Sequence, residues 1–352
     1  MAIHRKFFLT FSGQKQTHNR YEPDLSLGNP GPRKNCAKIC PGHGRSAPGQ
    51  TPRRGFPVAR PGQGIAAQYG ATHAYGSYEE LFQCPDLDVI YIATPHQGHF
   101  PWTMRSLEHG IPVLVEKPFA INSRQARVMA EAAQSKGVFL MEALWTRFLP
   151  TMERLQAILR EGSLGKILGV KADFGFQPPF DPQSRIFNPN LGGGALLDIG
   201  IYPVFLAQFL LGTPSEITAA GCLGATGVDE ELGILMKFPS GQMAHLHATI
   251  RVQTKTEAFV YFERGTVNLH SRWFEPTTLS ILRPSERPEI LTFEYPCEGF
   301  SFQIAEVMRC LDGGLKESPQ MPLQFSIELM ETLDAIRNQI GLSYPEALEQ
   351  PE

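Results

Sequence analysis

Asp88-Val89-Ile90-Tyr91-Ile92-Ala93-Thr94-Pro95-His96 and, after residues 97–110, Ile111-Pro112-Val113-Leu114-Val115-Glu116-Lys117-Pro118 decide how this chain folds. Each is an apolar run rich in β-branched residues that ends in polar ones, and Phe100 to His109 between them reads as a helix that Gly110 can end. Two such runs joined by a helix form parallel strands with a right-handed crossover. In an open parallel sheet the ligand crevice lies beyond the carboxyl ends of the strands, which places Thr94, Pro95, His96, Glu116 and Lys117 where a ligand binds. Taken alone, Glu116-Lys117-Pro118 reads equally as a solvated charge pair stopped by proline.

The neighbouring sequence extends the same unit. Ser77 caps a short helix with Glu79 and Glu80 in its first turn, Asn122 or Ser123 starts a helix running through Val128, Met129, Ala132 and Ala133 to Gly137, and Val138 to Met141 forms a last buried strand. From Phe148 to Glu161 the pattern is helical. It then changes to alternating runs at 167–176, 216–223, 231–238, 243–251, 257–262 and 266–270, with short turns at Pro239-Ser240-Gly241 and Arg264-Gly265. These predict a large, mostly antiparallel sheet with one face covered by helices and one open. Gln324 to Ile340 carries Ile327, Met330, Leu333, Ile336 and Ile340 on one stripe and reads as a closing helix. The fold class is therefore α/β, a Rossmann-like parallel sheet plus an α+β domain. The expected boundaries are 64–145 and 146–342, with a tail at 343–352.

Gly192-Gly-Gly-Ala-Leu-Leu-Asp198-Ile-Gly-Ile-Tyr202-Pro203 joins the two halves. A helix from about Ala195 puts Asp198 and Tyr202, at i and i+4, on one face. An ordinary capped, amphipathic helix is the competing reading.

Residues 1–63 differ from the rest. The chain has a net charge of −3, yet this segment holds 11 Lys+Arg against 2 Asp+Glu, with eight glycines and eight prolines. After Phe11 no strand or helix period emerges, and the segment is expected to be aberrant, with the first strand, phosphate loop and helix of the parallel sheet missing or altered. Its arginine, proline and glycine content is that of GC-rich coding sequence read out of frame, here from about residue 25 to 63, and a chain carrying it is expected to hold a pyrophosphate-bearing ligand poorly. Gly62-Gln-Gly64-Ile-Ala-Ala67 matches G-x-G-x-x-A, but Pro57 and Pro61 disfavour a strand leading into it. Met1 to Phe11 has too short an apolar core for a secretory signal. Cys36 and Cys40 have no second pair nearby, so no metal site is expected, and scattered cysteines fit free thiols in the cytoplasm. No stretch reads as the span of about 18 apolar residues that a membrane crossing needs. The acidic balance and the lack of aromatics among the early arginines argue against a nucleic-acid partner.

Taken together, Ala93-Thr94-Pro95 with His99, Glu116-Lys117-Pro118, Met141-Glu-Ala-Leu-Trp145-Thr-Arg147-Phe148, the Gly192 to Pro203 motif and Lys316-Glu-Ser-Pro319 resemble the glucose-fructose oxidoreductase and inositol dehydrogenase (Gfo/Idh/MocA) family. Within it they are similar to the dimeric dihydrodiol dehydrogenase branch, which includes NADP-dependent xylose dehydrogenases. The resemblance covers roughly residues 65–342. It implies hydride transfer from a secondary hydroxyl of a cyclic diol or sugar to NADP or NAD, with Lys117, Tyr202 and Asp198 catalytic. Lys117 would supply charge beside the substrate oxygen. Tyr202 would take the proton, helped by the lysine lowering its pKa. Cofactor contacts are implied at Thr94, Pro95, His96, His99, Glu116, Lys117, Trp145 and Arg147. Substrate contacts are implied at Trp145, Phe174, Asp198, Tyr202 and Trp273, and a homodimer through the open sheet face. The alternative is a dimerising remnant that has lost cofactor binding and catalysis.

Overall fold

The two runs around Thr94 and Lys117 are adjacent parallel strands, with Ile90, Tyr91 and Ile92 opposite Val113, Leu114 and Val115. We describe them in a computed structural model covering residues 7–12, 38–42, 73–84, 87–295 and 299–350. The first sheet contains β1 (Phe7–Ser12), β2 (Lys38–Gly42), β3 (His73–Ala74), β4 (Val89–Ala93), β5 (Val113–Glu116) and β6 (Leu140–Ala143), in the order β3-β2-β1-β4-β5-β6, all parallel.

This corrects one expectation. The segment read as lacking a first strand supplies two strands, and β1 pairs β2 on one side and β4 on the other. The Phe7-Phe8-Leu9-Thr10-Phe11 run, set aside as too short for a signal core, has the aromatic and apolar content that suits a central parallel strand. The phosphate-loop region, the Gly62-Gln-Gly64 match and the Cys36 position lie outside the described residues.

Local signals set the element ends. Ser77 and Asn122 cap their helices by accepting from the N–H groups of Glu80 and Gln125, and Gly137 ends helix Ser123–Lys136 in the left-handed region, φ 61°. Helices His99–Glu108 and Ser123–Lys136 pack on each other, the former also on β4 and β5.

The second sheet comprises β7 (Ile167–Gly175), β8 (Glu216–Leu223), β9 (Asp229–Lys237), β10 (Met243–Thr249), β11 (Ala258–Phe262), β12 (Gly265–Leu269), β13 (Leu279–Leu282) and β14 (Glu289–Leu291), in the order β14-β13-β12-β11-β7-β10-β9-β8. All neighbours are antiparallel except β7 and β10. Val170, Ala172, Leu232, Ile234, Ala244, Leu246, Ala258 and Val260 face inward and are buried. Helix Ile201–Leu211 lies against β7 and β10 on that face, and helix Leu323–Gln339 packs on it and on β6 and β8, tying the sheets together. The opposite face holds Met243, His245, Phe259 and Tyr261 at partly or fully exposed positions. One helical stretch, Pro189–Leu211, is long and apolar enough to cross a membrane by length and composition, contrary to the reading that none is. Its most apolar window is 83% buried in this protein, which marks a core helix.

Candidate active site

The catalytic candidates come from two walls of one cleft. β5 ends at Glu116 and delivers Lys117. The opposite wall is a π-helical turn, Leu196–Gly200, that leads into helix Ile201–Leu211 and carries Asp198 and Tyr202. In a π turn each carbonyl looks to the N–H five residues on, as Leu196 does with Ile201; for Asp198 that position is Pro203, which has no N–H. Its carbonyl is left to accept from Lys117 Nζ at 2.5 Å, while Asp198 Oδ1 lies 3.1 Å from the same nitrogen.

A third charged group completes the cluster. Arg185, absent from the sequence-based candidates, places Nη1 2.8 Å from Asp198 Oδ1. Asp198 is only 4% exposed. Burial works against its charge, but Arg185 and Lys117 together hold the carboxyl far below the usual carboxylate range. Asp198 is therefore a fixed anion rather than a proton carrier. Lys117 is pushed above its ordinary pKa although desolvation, the largest influence, lowers it; Asp198 and Tyr202 outweigh that effect.

Tyr202 is buried below the lysine, whose Nζ sits 5.2 Å from the ring centroid, and its hydroxyl accepts from Trp145 Nε1 at 3.1 Å. The expected direction of its pKa is corrected here. Desolvation raises it by more than Lys117 lowers it, so Tyr202 is a phenol at neutral pH. Glu116 is also pushed up by burial, and its two oxygens accept from the Tyr91 hydroxyl and the Lys117 N–H.

Thr94, Pro95 and His96 stand at the β4 end as expected. His96 is buried with Nδ1 2.8 Å from Gly192 O, and burial lowers its pKa to about 3, so the ring is neutral and donates to that carbonyl. His99 lies behind the strand ends. It is fully buried between the β4 and β5 ends, with Nδ1 2.7 Å from Pro118 O and Nε2 3.0 Å from Thr94 O, and the neutral ring donates to one of these two carbonyls.

The aromatic candidates divide. Trp145, Phe174 and Tyr202 come together around Phe274, whose ring stacks on Phe174 at 4.1 Å and lies 5.2 Å from Tyr202. Trp273 is wholly buried and donates to Asp173 O, whereas its neighbour Phe274 lies in the ring cluster. Phe300 stacks on Trp145 at 4.3 Å and was also not foreseen. Arg147 Nε donates to Gln320 O and its guanidinium lies over Phe209. Among the described residues no cluster of His, Cys, Asp or Glu could hold a metal ion.

Whether these residues suit a nicotinamide dinucleotide is tested by Thr94. Its Oγ1 is buried at the strand end without a hydrogen-bond partner among the described residues, and a Cβ on Gly98 would come within 2.5 Å of it. An orphaned hydroxyl in the crevice of a parallel sheet, beside a buried ammonium and neutral imidazole, fits the nicotinamide half of such a cofactor.

Comparison with known proteins agrees. Residues 57–144 match the oxidoreductase family's NAD-binding Rossmann fold, and residues 152–268 match the GFO/IDH/MocA C-terminal domain. The chain is 37% identical over 289 residues to trans-1,2-dihydrobenzene-1,2-diol dehydrogenase of Mus musculus, covering 80% of this chain and 86% of that protein. It is 35% identical over 289 residues to the Homo sapiens enzyme of the same name, with the same coverage. Among solved structures, aldose-aldose oxidoreductase from Caulobacter crescentus with glycerol superposes with TM-score 0.71 at 25% identity, over 79% of this chain and 85% of that one. A 3-ketoreductase from Actinomadura kijaniata with NADP and TDP-benzene shares the fold at TM-score 0.76 and 22% identity, over 96% and 98% of the two chains. The reading as a non-catalytic remnant is not better supported than catalysis by any of these. With its parallel sheet, its Lys117 strand end and both family domains matched, the chain belongs to the Gfo/Idh/MocA family of NAD(P)-dependent oxidoreductases.

Proposed function

We propose that this enzyme oxidises a secondary hydroxyl of a cyclic diol or sugar, as a trans-dihydrodiol or aldose dehydrogenase does, with NADP as cofactor. The observation that carries the reading is the convergence of Lys117, Asp198 and Tyr202 at one point of the cleft. A bound nicotinamide supplies the hydride acceptor. The chain's own groups handle charge and proton. Lys117 stands beside the substrate oxygen and stabilises the negative charge that grows there. Tyr202, protonated at neutral pH, hydrogen-bonds that oxygen; it donates in carbonyl reduction and accepts the proton in oxidation once ionised, with Trp145 Nε1 and Lys117 stabilising the phenolate. Oxidation is therefore expected to quicken as pH rises toward the Tyr202 pKa.

The ring cluster of Trp145, Phe174 and Phe274 suits the flat face of a cyclic diol or the apolar face of a pyranose. NADP rather than NAD follows the named ligand of the similar 3-ketoreductase and the branch resembled. We also read the chain as a Rossmann-like part, whose remainder after the aberrant segment runs 64–145 and whose sheet also takes in β1 and β2, followed by a substrate and dimerisation part at 146–342. A homodimer through the open face of the second sheet is supported by exposed Tyr261, stacked near Phe259, beside Leu168, which is 57% exposed. The thiols of Cys222 and Cys310, in no disulfide among the described residues, support a reducing, cytoplasmic setting.

The test is NADPH formation by the 352-residue chain with trans-dihydrobenzenediol and with D-xylose, alongside calorimetric titration of NADPH. Turnover of either substrate is expected, because β1 and β2 supply strands whose apparent absence implied weak cofactor binding. Tight NADPH binding with no turnover of any cyclic diol or aldose would overturn the reading.

A further inference from the structure

Arg185 reaches the cleft from the loop between β7 and the π turn. It takes the same carboxylate oxygen as Lys117, at 2.8 Å against 3.1 Å, and keeps 35% of its side chain exposed. One carboxylate shared by two cations leaves one positive charge in excess within this trio, and burial, which raises the Glu116 pKa, disfavours an offsetting charge there. Without Arg185 the remaining pair would be neutral, and a growing alkoxide would meet a salt bridge rather than a cation.

The donors of Lys117 point the same way. An ammonium has three protons. Two are directed at Asp198, one to its carbonyl and one to Oδ1. The third is left for the substrate oxygen above the Tyr202 ring. How firmly Asp198 holds the first two, and how much charge it cancels, depends on what else Oδ1 binds.

We propose that Arg185 is a positioning residue of this cleft: by holding Asp198 Oδ1 it fixes the carboxylate under Lys117 and leaves the ammonium's charge uncancelled toward the substrate oxygen. The inference rests on the reading of Lys117 as the group beside the reacting oxygen. The other charged or titratable groups facing Lys117 are Asp198 and Tyr202 on the opposite wall, Glu116 on its own strand, and His96 and His99 from the turn and helix after β4. Both histidines are held neutral by burial, which leaves Arg185 as the second cation of this group. Consistent with this, Arg185 acts to lower the Lys117 pKa, against the raising effect of Asp198.

The experiment measures two quantities on the full chain. Competitive amine labelling read by peptide mass spectrometry follows the titration of Lys117, with exposed Lys171 as internal reference. Steady-state kinetics follows kcat and KM separately. Arg185→Gln is expected to move the Lys117 labelling curve to higher pH and to lower kcat by about tenfold or more, with KM within about threefold. Arg185→Lys should return both toward the parent. An unmoved labelling curve in Arg185→Gln refutes the proposal, as does an equal loss in both variants accompanied by a lower melting temperature. If Arg185→Gln does not fold, Arg185→Lys decides: a parent-like labelling curve supports the role, and a raised one refutes it. Labelling needs no turnover, so a chain that shows the shift yet oxidises no diol or sugar rejects the proposed function while upholding the charge assigned to Arg185.

Discussion

Asp198 in the cleft and the carboxyls of Glu142 and Asp229 away from it are all buried, yet their pKa values are shifted in opposite directions. Asp198 touches two cations and stays ionised. Glu142, on β6, is fully buried; its oxygens lack a hydrogen-bond partner among the described residues, and burial pushes its pKa to about 7. The Ser326 hydroxyl and Phe119 N–H lie near enough to pull it down, but by less than burial raises it. Asp229 accepts from the Leu196 N–H at 2.6 Å, anchoring the start of the catalytic turn, and burial still pushes it to about 7. The difference shows that burial pushes a carboxyl toward its protonated form, and that N–H donors soften this without reversing it. Only cations reverse it, and the cleft is where they were placed.

The strongest way to break this comparison is to remove a cation from Asp198. Lys117→Ala should lower kcat by about 10² to 10³, the usual loss for a group that stabilises charge in the transition state. The fold should survive, because Arg185 still pairs Asp198 and the lysine lies at a strand end. Circular dichroism and kcat decide: unaltered turnover in a folded variant would remove Lys117 from the mechanism. Tyr202→Phe should cost less, about 10² in kcat, the lower range for a proton-transfer group, since Lys117 remains. It should also flatten the rise of oxidation rate with pH. A variant that keeps both its rate and its alkaline rise would point to water as the proton carrier.

How far the sequence foretells these features follows from which signals are local. Lys117 is legible because a strand, a polar end and a proline fall within a few residues. Asp198 and Tyr202 are legible through helical spacing, and Pro203 even explains why the Asp198 carbonyl is free for the lysine. Arg185 is not, because it sits alone in a loop beside Pro178, Pro179 and Pro182, where no period assigns it a direction. Trp273 and Phe274 show the same limit at one-residue scale. They follow Arg272, whose φ is 61°, so strand alternation cannot tell which of the two faces the cleft. Strands β13 and β14 were passed over because Leu279–Leu282 and Glu289–Leu291 are short runs among prolines. His99 entered as a cofactor candidate through the family motif, and its contacts with two backbone carbonyls are ones that no side-chain pattern reveals.

The smallest expected effect sharpens the comparison from its other side. Glu142 ionises near 7 in the folded protein against an ordinary value of 4.5. A raised carboxyl pKa means that the folded state holds its proton more tightly than the unfolded chain. This contribution to stability is full below about 4.5, declines as pH rises, and is lost above about 7. The 2.5-unit difference, at about 1.4 kcal/mol per unit and discounted for relaxation around the buried charge, gives an effect on the order of 2 kcal/mol. Glu142→Gln keeps the shape and cannot ionise, so its melting temperature should fall less between pH 4.5 and 7 than the parent's does. The change should leave kcat largely intact, because Glu142 donates to nothing in the cleft. Parallel melting curves for the two proteins across that range would mean that Glu142 already has a cation or water to stabilise its charge, and the contrast with Asp198 would then be one of degree.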